Sequence, residues 1–131
     1  VLVSQLVSRK PVTVDLKTSI KDATKVMRRE GVGSLVIVDN DFRPVGIVTE
    51  RDIVYAIAQD IPIDTPISEI MSRDPVSING GSDVSEAVAL MTSRGIRHLV
   101  VINNEGRTIG VISVRDVVKA VGAIALDLAF W

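Results

Sequence analysis

A chain of 131 residues makes one ordinary globular domain or two very small ones, and 47% apolar against 24% charged residues excludes wholesale disorder. Fifteen basic and sixteen acidic side chains nearly cancel, so bulk attraction to nucleic acid is excluded and any anion site must be local. With no cysteine and a single histidine, His98, disulfide frameworks, thiolate metal sites and histidine zinc clusters are excluded as well.

The first predicted element is a short strand, Val12-Thr13-Val14, entered from Pro11. A helix follows: Ser19 and Asp22 have capping-box spacing, Ile20, Ala23 and Met27 keep helical period, and Gly31 reads as its C-terminal cap. The β-branched run Leu35-Val36-Ile37-Val38 predicts a central strand buried on both faces, and it is far too short to cross a bilayer. The turn residues Asp39-Asn40-Asp41 join it to a further strand, Val45 to Val48, as a hairpin. A second helix is predicted from about Glu50 to Gln59, apolar at Ile53, Val54 and Ile57. Residues 61–66 carry two prolines and read as a stiff linker.

The same order then recurs at a fixed offset of 64 residues: Pro11 meets Pro75, Ala23 and Met27 meet Ala87 and Met91, Gly31 meets Gly95, and Gly46 meets Gly110. Val76-Ser77-Ile78 is the strand, and Asp83 with Glu86 opens a helix through Ala87 and Met91 that Gly95 closes. Leu99 to Ile102 is the central strand, Asn103-Asn104-Glu105-Gly106 the turn, Ile109 to Ile112 the next strand, and about Val114 to Val121 the last helix. The fold class is therefore α/β in the α+β sense, two tandem β-α-β-β-α units spanning 3–60 and 67–122. A unit of about 60 residues is marginal alone, so the two are expected to pack sheet against sheet. Residues 123–131 form an apolar tail outside the repeat, expected to be buried against the same chain or a dimer mate.

Both strand-to-helix junctions read G-x-x-[ST]-x-R-D, as Gly46 to Asp52 and Gly110 to Asp116. Thr49 and Ser113 then fall at the N-cap and Asp52 and Asp116 three residues on, which a reciprocal cap explains without any ligand. The same corner suits a ligand: free N–H groups and the helix dipole favour phosphate, the hydroxyl adds a donor, and the carboxylates can accept from a ribose diol. Glycine at 46 and 110 permits close approach of a flat base or, equally, close strand packing.

These paired junctions, in units that open P-V-[TS]-[VI] and carry a central L-V strand, resemble a tandem cystathionine β-synthase (CBS) domain pair, or Bateman module, over nearly all of residues 3 to 122. The resemblance implies two units related by a pseudo-twofold axis and clefts between them that accept AMP, ADP, ATP or S-adenosylmethionine. It also implies a homodimer. By position it implies that Asp52 and Asp116 hold ribose hydroxyls and that Thr49 and Ser113 contact ribose or phosphate. Thr13-Val14 and Ser77-Ile78 would offer backbone to the adenine edge. Thr18 and Ser82 would touch the sugar-phosphate, or else cap the following helices. Arg97 and His98 stand where the family often binds phosphate, or else are solvated surface, and the first copy has Gly33 and Ser34 there. The two clefts are therefore expected to be unequal.

No cofactor is expected to be required, no metal site is assigned, and catalysis is not expected: no G-x-G-x-x-G or phosphate-binding G-x-x-x-x-G-K-[ST] occurs, and no serine stands beside a base. The resulting expectation is a cytoplasmic, non-enzymatic regulatory module that acts on an unidentified separate protein, with neither membrane nor nucleic acid as partner. The alternative is a ligand-free scaffold for dimerisation and protein interaction, in which the Thr/Ser-Asp pairs are caps only.

Overall fold

The computed structural model describes residues 1–129, with side chains through residue 122. In chain order the elements are β1 (Thr13–Val14), α1 (Ile20–Glu30), β2 (Ser34–Val38), β3 (Pro44–Thr49), α2 (Glu50–Ala58), β4 (Ser72–Arg73), β5 (Ser77–Asn79), α3 (Val84–Arg94), β6 (His98–Ile102), β7 (Thr108–Ser113) and α4 (Val114–Ala129). Single 3-10 turns lie at Val3–Leu6 and Ile67–Glu69. The β-α-β-β-α order expected of each copy is present twice, as a mixed α+β fold with two sheets.

Local chemistry sets these limits. Ser19 Oγ accepts the Asp22 N–H at 3.0 Å to start α1, and Gly31 and Gly95 end α1 and α3 at φ 65° and 61°, a left-handed conformation that glycine adopts without a Cβ penalty. The α3 cap differs from its expected pairing. Asp83 accepts the N–H and hydroxyl of Ser85, at 3.0 and 2.6 Å, while the Glu86 N–H goes to the Asp83 carbonyl. The nearer hydroxyl of Ser85 wins the carboxylate, and that bond is the main reason the Asp83 carboxyl is held below its ordinary value.

The chain divides into two compact units, and the division does not follow the sequence repeat at its edges. One unit is Pro11–Pro75 with Gly106–Thr108; the other combines Val76–Glu105 and Ile109 onward with Val1–Lys10. In the first unit the sheet order is β1-β2-β3-β4, with β1 parallel to β2 and the other pairs antiparallel. Its core joins Ile20, Ala23 and Met27 of α1 to Leu35, Ile37, Val48, Ile53 and Ala56, and is closed by Ile67 and Met71. In the second unit the order is β5-β6-β7, and Ile78, Ala87, Met91, Leu99, Val101, Ile112 and Val117 are closed by Val3 and Leu6. Val36 and Val100 are also fully buried, so both central strands are covered on both faces, as their unbroken apolar runs predict.

The offset of 64 explains the edges. Val3, Leu6 and Val7 correspond to Ile67, Ile70 and Met71, so the repeat begins with a 3-10 lead, and each copy's lead closes the core of the other unit. A second difference is at the end of the chain. The last helix does not stop near Val121 but continues through Ala129. Gly122 costs a helix only about 1 kcal/mol relative to alanine, and Ala123, Ala125 and Leu126 beyond it are among the residues a helix favours most. The expected burial of the tail's side chains falls outside the described residues.

Candidate functional site

The two strand-to-helix corners are built alike. β3 delivers Thr49 in extended backbone (φ −120°, ψ 167°), and α2 begins at Glu50. Asp52, one turn into α2, turns back so that its Oδ2 accepts the Thr49 N–H at 2.9 Å and the Thr49 hydroxyl at 3.2 Å. Asp116 does the same for Ser113, at 2.8 and 3.1 Å, and the Asp116 N–H also donates to Ser113 Oγ at 3.3 Å. The reciprocal cap is therefore present in both units.

Capping leaves part of each corner open. All four residues are half-buried, and among the described residues no donor reaches the second oxygen, Oδ1, of Asp52 or Asp116. The hydroxyl proton, by contrast, is directed at the carboxylate, so Thr49 and Ser113 present lone pairs rather than the donor expected of them. The first helical N–H is also engaged: Glu50 donates to the Gly33 carbonyl at 3.0 Å and Val114 to the Arg97 carbonyl at 2.9 Å. Each corner thus offers a carboxylate acceptor, while strong anion donors must come from side chains at the start of the neighbouring strand.

Those side chains differ between the units. In the first, Ser34 opens β2 and pairs in register with Thr49, which places Gly33 and Ser34 beside the corner. In the second, Arg97 is exposed and His98 half-buried at the start of β6. Burial lowers the His98 imidazole below its ordinary value, Asp116 acts to raise it, and Arg97 acts to lower it further. Arg97, His98, Ser113 and Asp116 are therefore brought together, whereas the first corner holds only Thr49 and Asp52 of the expected set.

The other expected residues lie further off. Thr13 and Val14 pair with Val36 and Ile37, so β2 separates them from β3; Ser77 and Ile78 likewise pair with Val100 and Val101 of β6. Thr18 does not cap α1; its N–H and hydroxyl bond Asp15 Oδ1 at 3.0 and 3.2 Å. Ser82 donates its N–H to the Asn79 carbonyl. Gly46 and Gly110 have a packing reason: a Cβ at Gly46 would lie 2.8 Å from Met71 Cγ, and one at Gly110 would lie 2.8 Å from Val7 Cγ2. One residue of the corner was missed by sequence reasoning. Glu50 places its carboxylate over Gly33, and the available signal was that the repeat has Val114 there instead.

Among the described residues no group of three or more His, Cys, Asp or Glu side chains could hold a metal ion, and no helix is long and apolar enough to cross a membrane.

The family model of the CBS domain matches residues 3–59 and again 67–123. An uncharacterized 17.7 kDa protein of Acidianus ambivalens is 38% identical over 118 residues, covering 90% of this chain and 71% of that protein. Two further uncharacterized relatives, each 35% identical over 105 residues, are longer, and the matched stretch spans 53% and 25% of them. Among solved structures, a CBS domain protein from Pyrobaculum aerophilum complexed with AMP superposes with a TM-score of 0.88 at 34% identity, covering all of both chains. A CBS domain pair in complex with 5′-methylthioadenosine and S-adenosyl-L-methionine gives 0.85 at 28% identity, covering 94% of this chain and 97% of that one.

Proposed function

Because the chain belongs to the CBS domain family, we propose that it is a regulatory ligand-sensing module that binds an adenine nucleotide or S-adenosylmethionine at its strand-to-helix corners and performs no chemistry on it. The observation that carries this reading is the duplicated corner, in which a half-buried aspartate keeps Oδ1 open after capping its own helix. Solved relatives complexed with AMP, and with 5′-methylthioadenosine and S-adenosylmethionine, support it.

In this reading Asp52 and Asp116 accept from ribose hydroxyls through Oδ1, with Thr49 and Ser113 beside them. Arg97 and His98 hold phosphate by charge-assisted hydrogen bonds. Thr13-Val14 and Ser77-Ile78 offer backbone groups to adenine, and Thr18 and Ser82 line the sugar-phosphate. The protein works in the cytoplasm on a separate regulated protein. The test is thermal melting with AMP, ADP, ATP and S-adenosylmethionine. A ligand at 100 times its dissociation constant adds about 2.7 kcal/mol to the native state, and a flat response to all four removes the proposal. Arg97→Ala is expected to weaken AMP while sparing adenosine; equal loss for both removes the phosphate role.

A scaffold reading has one observation in its favour. Val54 and Ile57 on α2, and their repeat equivalents Val118 and Val121 on α4, stay exposed. An apolar pair kept at the same outward positions in both copies suits a second copy of the chain, and burial in a homodimer would remove it from water. Mass in solution for Val54→Glu with Val118→Glu tests the homodimer: an unchanged assembly discards it. A flat ligand response together with a lost dimer would favour the scaffold.

A further inference from the structure

The two corners share one backbone frame and carry opposite charge at one point of it. In each unit the first helical N–H bonds the carbonyl just before the central strand, Glu50 to Gly33 and Val114 to Arg97. In the second unit that strand-side residue sends out the Arg97 guanidinium, and the helix-side residue is apolar. In the first unit Gly33 sends out nothing, and Glu50 Cδ and Oε1 lie 3.5 Å from where a Cβ at Gly33 would be. A carboxylate thus lies in van der Waals contact with the point from which, in the other unit, the cationic side chain of Arg97 departs.

Among the described residues no basic side chain pairs with Glu50, and Arg51 is turned along α2, its Nε donating to the Tyr55 hydroxyl at 2.9 Å and its guanidinium 5.2 Å from the Tyr55 ring centre. The positive end of α2 already has Glu50 and Asp52 in its first turn, so little of that attraction is left for a phosphate. Ser34 replaces His98, leaving the first corner with two carboxylates and, among the described residues, no cation paired with either. The second has one carboxylate, a guanidinium and an imidazole.

We propose that Glu50 is the charge filter of the first corner. It turns away adenosyl ligands that end in a 5′-phosphate and admits those whose 5′ substituent is a neutral thioether or a cationic sulfonium, while the second corner takes the phosphate. This rests on the adenosyl-binding reading above and names the ligand class of one of its two sites. Like charges about 4 Å apart at a protein surface repel by an amount that corresponds to at least tenfold in affinity.

The experiment is calorimetric titration of the full chain with AMP, 5′-methylthioadenosine and S-adenosylmethionine, for the wild type, Glu50→Gln and Glu50→Val, the last copying the second unit. Glu50 is exposed, and a thermal melt of each variant verifies that the fold is retained. The wild type is expected to take one AMP tightly, and either variant to gain a second AMP equivalent about tenfold tighter than before. 5′-Methylthioadenosine should stay within twofold and S-adenosylmethionine should weaken. AMP and 5′-methylthioadenosine binding in an unaltered ratio overturns the filter and leaves the sensing function standing. No binding of any of the three by the wild type overturns both.

Discussion

The two units are copies that kept one set of features and lost another. Every hydrogen bond that shapes the corner backbone is duplicated: Asp to Thr or Ser, and the first helical N–H to the carbonyl before the strand. The side chains that this frame does not use have diverged, Glu50 against Val114, Gly33 against Arg97 and Ser34 against His98. A shared frame with unshared charges is the premise of the filter proposed for the first corner.

The largest expected effect tests how closely the two copies are joined through their leads. Ile67 follows the first copy in sequence and opens the second, yet it is fully buried in the first unit's core, as its equivalent Val3 is in the second unit's. Ile67→Ala is expected to cost about 3 kcal/mol and Val3→Ala about 2 kcal/mol, measured by denaturant unfolding. If both cost under about 0.5 kcal/mol, as surface substitutions do, the leads do not close the cores.

This exchange is also where sequence reading stopped short. The repeat, four helices, both hairpins and both corner caps were legible, because each is written in local periodicity or in a short fixed spacing. Which core a short apolar lead enters is not local information: Val3, Leu6 and Val7 have the same pattern whichever unit they close. The edge strand β4 was missed for a related reason. Ser72 and Arg73 are exposed and have no alternation, and only their pairing with Ile47 and Gly46 defines the strand. At the corner, Asp52 and Asp116 could be found by motif, but the position of Glu50 over Gly33 depends on a side-chain direction that spacing does not encode.

Next in size is a contrast between glycines. Alanine at Gly110 meets Val7, whose branched side chain is stiff about its first torsion and presents two methyls and Cβ. Alanine at Gly46 meets the unbranched Met71, which can shift. Gly110→Ala is expected to cost about 2 kcal/mol and Gly46→Ala about 1 kcal/mol. The reverse order in denaturant midpoints would mean that the two leads are held differently from this packing.

The hairpins give a smaller pair. Phe42 adopts φ 61° at the position where the second copy has Gly106 at φ 79°. A side chain at left-handed φ is strained by about 1–2 kcal/mol, partly offset because glycine is freer in the unfolded chain. Phe42→Gly is therefore expected to be about 0.5–1 kcal/mol more stable than Phe42→Ala, which loses the same ring, and Gly106→Ala to lower stability by about 1 kcal/mol. Open space surrounds a Cβ at Gly106 apart from Arg43 Nε at 3.9 Å, so that loss would be backbone strain alone. Equal melting temperatures for Phe42→Gly and Phe42→Ala, and for wild type and Gly106→Ala, would remove strain as the reason for the glycine.

The smallest effect separates the corners by pH, because only the second has an imidazole. Burial, aided by Arg97 and opposed by Asp116, puts the folded His98 below its ordinary value of 6.5. Between the two values the unfolded chain binds more protons, so this contribution to stability is complete above about 6.5 and is lost as pH falls through the unfolded and then the folded value. The melting temperature should accordingly fall more steeply from pH 8 to pH 5.5 in the wild type than in His98→Gln; parallel profiles would discard the assignment. A bound phosphate dianion reverses the sign, since it favours the imidazolium. From pH 8 to 6.5, above the second phosphate ionisation near about 6, AMP should gain affinity for the wild type relative to His98→Gln. 5′-Methylthioadenosine, with no phosphate to meet His98, should show no such gain.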